Sequence, residues 1–271
     1  MENIFSVKDK VIVVTGGTGV LGHSFINALA QEGAIVGVLG RKEEIAAQRV
    51  KEIDRNGGKA IALIADVTRE EQLLAAKKLI LNEYGKIDGL VNAAGGNMPE
   101  AVIAPDKDIF QLDITALKQV MDLNLFGTIL PTQIFGETIA KQGKGSIVNI
   151  SSMASQRVIT KVLGYSMAKS AIDCYTKWFA VELGKRYGDS IRMNAIAPGF
   201  FLTEQNRTLL TNGNGTMTER GNLVIKNTPF NRFGQPGELI GALVWLLSDA
   251  SQFVTGTVVN VDGGFSIFSG V

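Results

Sequence analysis

Seven short apolar runs punctuate this chain, and most are separated by longer stretches whose apolar residues recur with the period of a helix. The runs are residues 11–14, 34–39, 60–65, 89–92, 146–150, 191–197 and 258–261. A run that is apolar at every position is covered on both faces once it forms a strand, which is how parallel strands read. A parallel neighbour is reached only by a long crossover, usually a helix. The alternation therefore predicts one seven-stranded parallel sheet, a Rossmann-type doubly wound fold in three α/β/α layers. Helices are expected from near Val20 and over 43–56, 70–84, 116–141, 165–187 and 237–247, with Thr68 and Glu71 in capping-box spacing before the third. Length suits a single dinucleotide-binding and catalytic domain over residues 1–271. Two stretches break the rhythm, 96–113 and 200–233. Each follows the carboxyl end of a strand, where open α/β sheets bind ligands, so both are read as walls of a substrate pocket.

Composition narrows the partner. Against 26 Asp+Glu stand 27 Lys+Arg, a formal net charge of +1 with no basic or acidic block, which argues for a small-molecule partner and against nucleic acid or a membrane surface. With Cys174 as the one cysteine and His23 as the one histidine, no internal disulfide forms and no Cys/His metal site is expected. The amino-terminal segment has no apolar signal core, and no run reaches the ~18 residues that span a bilayer. The expectation is a cytoplasmic protein with a reduced thiol.

The first run hands over to TGGTGVLG, Thr15 to Gly22. A glycine-rich turn between strand and helix brings backbone N–H groups and the positive end of the helix against a pyrophosphate. The spacing reads two ways. From Gly17 it is G-x-G-x-x-G, and from Thr15 it is T-G-x-x-G-x-x-G. Gly16, Thr18, Gly19, Leu21 and Gly22 are the contacts expected. About 20 residues on, NAD enzymes carry an acid for the ribose 2′-hydroxyl. Here VLGRKEE places Gly40 at that point and Arg41 after it. The absent carboxylate spares a 2′-phosphate repulsion, and a guanidinium grips one bidentately, which favours NADP(H) over NAD(H). Asp66, beside Val67 at the end of the third run, is placed to accept from the adenine amino group.

Further on, Tyr165 and Lys169 stand four apart and so share a helix face. An ammonium beside a phenol favours the phenolate; a fall of roughly 3 pKa units corresponds to about 4 kcal/mol. Ser152, upstream at a strand end, is placed to donate to a carbonyl oxygen.

Taken in order, these motifs resemble the short-chain dehydrogenase/reductase family in its compact single-domain branch. The likeness runs from Lys10 to Gly264. It includes NAAG (Asn92 to Gly95), MDLNLFG with Asn124, NISS ending at Ser152, YSMAK (Tyr165 to Lys169), IRMNAIAPGFFLT, NRFGQPGE and TGTVVNVDGG. The resemblance implies that Tyr165 is the general acid/base and Ser152 orients the substrate oxygen. Lys169 lowers the tyrosine pKa and binds the nicotinamide ribose, and Asn124 holds a water that extends the proton relay. It also implies that Asn92, Ala93 and Gly95 line the cofactor, and that Pro198, Gly199, Phe201 and Thr203 bracket its carboxamide. Paired α-helices, equivalent to 116–141 and 165–187, would build a homo-oligomer, a tetramer. One departure stands out. Compact members carry T-G-x-x-x-G-x-G, whose middle glycine falls where this chain has Val20. The spacing here is that of the extended branch of sugar-nucleotide epimerases, but the rest of the chain follows the compact reductases.

GGNMPEA and TEQNRTLL, in the irregular stretches, bring Asn97, Gln205, Asn206 and Arg207 toward the reactive end, with Gln156 and Arg157 just past Ser152. Amides pair hydroxyls and arginine grips a carboxylate, a set suited to a sugar acid. With NLFGTILPTQIF, these stretches are similar to the family's D-mannonate oxidoreductases (fructuronate reductases). The neighbouring readings are a gluconate 5-dehydrogenase-like or other sugar or polyol dehydrogenase, then a 3-oxoacyl carrier-protein reductase. A non-enzymatic dinucleotide-binding sensor is a further alternative, disfavoured because Tyr165 and Lys169 are both kept.

Overall fold

The computed structural model describes residues 3–103, 108–202, 207 and 209–270. Each of the seven apolar runs forms a strand: β1 Val11–Thr15, β2 Ile35–Gly40, β3 Lys59–Ile64, β4 Gly89–Asn92, β5 Gly145–Ile150, β6 Ile191–Pro198 and β7 Val258–Val261. They pair in parallel throughout, in the order β3-β2-β1-β4-β5-β6-β7. Helices α1 Val20–Gln31, α2 Glu43–Arg55, α3 Glu70–Tyr84, α4 Ile114–Met121, α5 Gly127–Gln142, α6 Leu163–Tyr187, α7 Glu219–Lys226 and α8 Ile240–Leu247 supply the covering layers.

Alternation along β1 divides the core in two. Ile12 and Val14 face one side, packed with Phe25 and Leu29 of α1, Ile53 of α2 and Leu243 and Leu246 of α8. Val11 and Val13 face the other, with Leu73 and Ile80 of α3, Phe135 and Ile139 of α5, and Ala180 and Leu183 of α6. The expected three layers result. The strand order reverses at β1, whose neighbours are β2 and β4, so a crevice opens beyond the carboxyl ends of those strands. No helix among the described residues is long and apolar enough to cross a membrane.

Three local expectations need correction. Thr68 does not cap α3: the N-cap is Arg69, and the Thr68 hydroxyl donates to Asp66 Oδ1 at 2.7 Å, a charged acceptor that outcompetes a capping role. Nor is 116–141 one helix. Asp113 caps α4 through Thr115 N and Ala116 N, then a π-helical segment, Asp122–Phe126, interrupts the path before α5 resumes. Pro131 within α5 has no N–H to give the preceding turn. The Thr128 and Thr132 hydroxyls donate to the carbonyls of Asn124 and Thr128, each at 2.8 Å. Finally, 200–233 is not irregular throughout. It holds α7, capped by Thr218 Oγ1 on Gly221 N, and a small core of Leu210, Val224 and Phe233.

Candidate active site

Beyond β1, β2, β3 and β4 lies a cleft of about 930 Å³, at the upper end of small-molecule sites. Its floor is the glycine-rich turn. Gly16 has φ +67°, and a Cβ there would lie 2.8 Å from Ala94 Cα; at Gly22 a Cβ would meet the Gly16 carbonyl oxygen at 2.1 Å. Both positions therefore require glycine. Gly19, in extended geometry, is the N-cap of α1 and offers no side-chain cap, so the first-turn N–H groups of α1 are left for a ligand. Thr18, Leu21 and Val67 line the same cleft. An uncapped helix start beneath a glycine turn is the geometry an anionic pyrophosphate needs, so these residues fit a dinucleotide. Val20 opens α1 and is exposed at the rim, so the missing middle glycine costs the turn nothing sterically.

At the adenosine end Arg41 is mostly exposed, with its guanidinium 3.7 Å from Asp66 Oδ2. Asp66 also accepts from Thr68 N and Oγ1. Partial burial raises its pKa, but the Thr68 hydrogen bonds and the Arg41 and Arg69 charges outweigh that and hold it below the usual carboxylate value. His23 and Arg49 line this end as well, joined through Glu52, which accepts from His23 Nε2 at 3.0 Å and Arg49 Nη1 at 3.2 Å. Sequence reading missed both. His23 was findable, since it stands one turn after Gly19, whose carbonyl its N–H reaches at 2.7 Å.

Ala93, Gly95 and Asn97 line the cleft, but the Asn92 side chain does not. It is buried beneath β4, donating to Thr132 Oγ1 and Asn149 Oδ1 at 2.9 Å each. Its place is between β4, β5 and α5, where a polar side chain must find internal partners. Asn124, at the centre of the π segment, is likewise fully engaged. Its amide donates to Gly96 O at 2.7 Å and Val120 O at 2.8 Å, and its Oδ1 accepts from Gly96 N at 3.0 Å. Both amide protons are spent on backbone carbonyls, so the side chain fixes the 95–96 backbone.

Beyond Gly95 the reactive groups converge. Ser152 follows β5; its hydroxyl accepts from Ala154 N at 3.1 Å and stands near enough to the Tyr165 phenol to favour the phenolate. Tyr165 packs against a small cluster of Ala101, Ala116 and Val120, which Met98 also covers. Lys169 Nζ stands 5.4 Å from the Tyr165 ring centroid and donates to Ile150 O at 2.7 Å. Burial pushes the Tyr165 pKa above its usual value, with the Ser152 hydrogen bond opposing. The protein's own groups thus leave the phenol protonated, because desolvation outweighs the Ser152 hydrogen bond.

Pro198 ends β6. A Cβ on Gly199 would lie 2.6 Å from Asp262 Cα, so the chain passes tightly over β7 there. Phe201 is buried in the core and its ring packs on Gly234. Its side chain is a packing element, which leaves the backbone of this segment as the part that can face a cofactor. Among the proposed substrate residues, Gln156 exchanges two 2.8 Å hydrogen bonds with Asn260, and Arg157 donates to Ser266 O at 2.5 Å and Phe268 O at 3.3 Å. Both brace the chain's last segment. Arg207 is exposed, and Thr203, Gln205 and Asn206 lie outside the described residues.

The chain matches the family profile described as Enoyl-(Acyl carrier protein) reductase over residues 19–266. It is 42% identical to an uncharacterised oxidoreductase, UxuB, of Bacillus subtilis (strain 168), over 97% of this chain and 96% of the relative. Its fold superposes with TM-score 0.90 on a candidate D-mannonate oxidoreductase from Haemophilus influenza with bound NAD, 40% identical, covering 99% of this chain and 100% of the other. A gluconate 5-dehydrogenase from Burkholderia cenocepacia in complex with NADP and tartrate superposes with TM-score 0.87 at 31% identity, over 97% of each chain.

Proposed function

The chain belongs to the short-chain dehydrogenase/reductase family, and from that membership we propose a specific reaction: NAD(P)-dependent hydride transfer at the carbonyl or alcohol carbon of a sugar acid, D-fructuronate and D-mannonate being the pair assigned. The observation that carries the chemistry is the convergence of Ser152, Tyr165 and Lys169 beyond the glycine-floored cleft. The sugar-acid assignment leans on the relatives named for D-mannonate and gluconate chemistry. Residues 96–113 and 200–233 are assigned as the substrate loops of one catalytic domain.

A nicotinamide held in this cleft would supply or accept the hydride. Tyr165 does the proton work. Its raised pKa keeps the proton on the phenol at neutral pH, the state in which it protonates a carbonyl oxygen being reduced. Ser152 donates to that same oxygen and stabilises charge building there. In the oxidising direction the phenolate must form instead, and there the Lys169 ammonium counts most, because it is the cation beside the ring. Asn124 sets the 95–96 backbone that the nicotinamide end meets.

NADP(H) is the preferred cofactor in this reading, since the position after Leu39 carries no acid and Arg41, mostly exposed in its pairing with Asp66, can turn toward a 2′-phosphate. A screen of D-fructuronate, D-tagaturonate, 5-keto-D-gluconate and simple ketones with both cofactors tests the assignment. Turnover of fructuronate above the others is expected, whereas preference for 5-ketogluconate would move the enzyme to the gluconate group. Tyr165→Phe should lower kcat by at least about 10²-fold and leave cofactor affinity nearly intact. Retained turnover in that variant would end the acid/base assignment.

A further inference from the structure

Asp173 lies one helical turn beyond Lys169 on α6 and is buried, with 8% of its surface exposed. The proton chemistry just described gives it no task. A carboxylate is costly to bury unless its lone pairs are filled and its charge is matched. Its hydrogen-bonding neighbours come from a single short segment: Oδ1 accepts from the Ser151 hydroxyl, and Oδ2 lies 2.6 Å from Ser155 Oγ. These serines flank Ser152 on both sides. Ser155 Oγ also lies 2.7 Å from the Ser152 carbonyl oxygen, and Ser170 Oγ of α6 donates to Ser155 O at 3.1 Å. One carboxylate therefore spans the turn that carries Ser152 and fastens it to the helix that carries Tyr165 and Lys169.

Two hydroxyls do not by themselves call for a charged acceptor. The charge finds its use at Lys169, whose ammonium is buried with the Ile150 carbonyl as its hydrogen-bond partner. Burial pushes the Lys169 pKa down to about 8, and the Asp173 charge opposes the fall. Elements packed against α6 include α4, β6, the Met153–Ser155 turn and the π segment, where Lys118, Arg192 and Asp122 also carry charge.

We propose that Asp173 is a positioning residue for hydride transfer, fixing the Ser152 turn against α6 while keeping the Lys169 ammonium charged; this rests on the catalytic reading of Ser152, Tyr165 and Lys169 above. Asp173→Asn keeps the shape and removes the charge. Without that charge the Lys169 pKa falls further, the ammonium is lost at lower pH, and the Tyr165 phenolate forms at higher pH.

The test follows D-mannonate oxidation, or D-gluconate oxidation if the unmodified enzyme prefers it, across pH. For Asp173→Asn we expect kcat to fall about ten-fold and its half-maximal pH to rise by about one unit, with cofactor dissociation constants within about two-fold. Ser155→Ala loosens the turn and leaves the charge, so kcat should drop several-fold with the half-maximal pH unmoved. An Asp173→Asn enzyme with kcat within about two-fold and an unmoved profile overturns the proposal. If that variant does not fold, Ser155→Ala decides: a several-fold kcat loss at unchanged melting temperature supports the role, and unchanged kcat overturns it. Tyr165→Phe runs alongside. Activity retained there removes the catalytic reading itself, while its loss beside an unaffected Asp173→Asn removes the Asp173 role alone.

Discussion

Position 40 bears on the proposed NADP(H) preference. A Cβ on Gly40 would lie 2.7 Å from Thr18 Cγ2 and 2.8 Å from Thr18 Oγ1, so the space an acid would need is filled from the phosphate turn. An enzyme built to bind a ribose 2′-hydroxyl through a carboxylate at this point would have to move Thr18, which lines the cleft. In the proposed NADP(H) complex Arg41 meets the ribose, and in this structure it pairs with Asp66 at 3.7 Å. A 2′-phosphate would replace that exposed pairing, worth little in water, with a bidentate one. Arg41→Ala should therefore raise the Michaelis constant for NADP(H) about ten-fold or more and change that for NAD(H) by less than about three-fold. Initial rates with both cofactors check this, and equal changes would remove the NADP(H) preference.

The strand–turn–helix unit from β1 to α1 depends on two glycines. Gly22→Ala would drive a methyl to 2.1 Å from the Gly16 carbonyl oxygen, a backbone atom in a turn already set by the positive φ of Gly16. The turn must open, so we expect a loss of about 1–3 kcal/mol in stability, read by denaturant melts, together with weakened cofactor binding. Gly19→Ala makes a control: its Cβ would sit 3.4 Å from the same oxygen, and the fold should stand while the pyrophosphate loses close approach. This element was legible in the sequence because its demands are local, as were the strands, whose apolar runs leave few other uses. Other residues were illegible because their partners lie far along the chain. NAAG could not announce that Asn92 would turn inward to Thr132 and Asn149, nor could SQR reveal that Gln156 and Arg157 would meet Asn260, Ser266 and Phe268. Asp173 was hidden in the same way, one carboxylate in a helix whose partners sit in the turn after β5. The π segment is subtler: apolar period continues through it, and Pro131 was the one local warning.

Across the whole molecule, α6 ties the site to the surface. Ala168, Ile172, Thr176, Ala180 and Leu183 are buried on its inner side, beside Tyr165 and Lys169. On its outer side Met167, Cys174, Trp178 and Val181 recur at helical spacing and stay exposed, Trp178 by 61%. An amphipathic helix in a monomer turns polar residues outward, so an apolar outer stripe fits a surface that a second copy covers. That supports the proposed homo-oligomer, and it would make assembly and catalysis share one helix. Trp178→Asp places a charge in the middle of the stripe without touching the inner face. A central aromatic anchor is worth at least about 2 kcal/mol, which is about 30-fold in association, so the variant should sediment as smaller species at concentrations where the unmodified chain is assembled. The melting temperature should fall with the loss of the partner, in a concentration-dependent way, because assembly stabilises by mass action. Unchanged sedimentation in Trp178→Asp would take this face of α6 out of any interface.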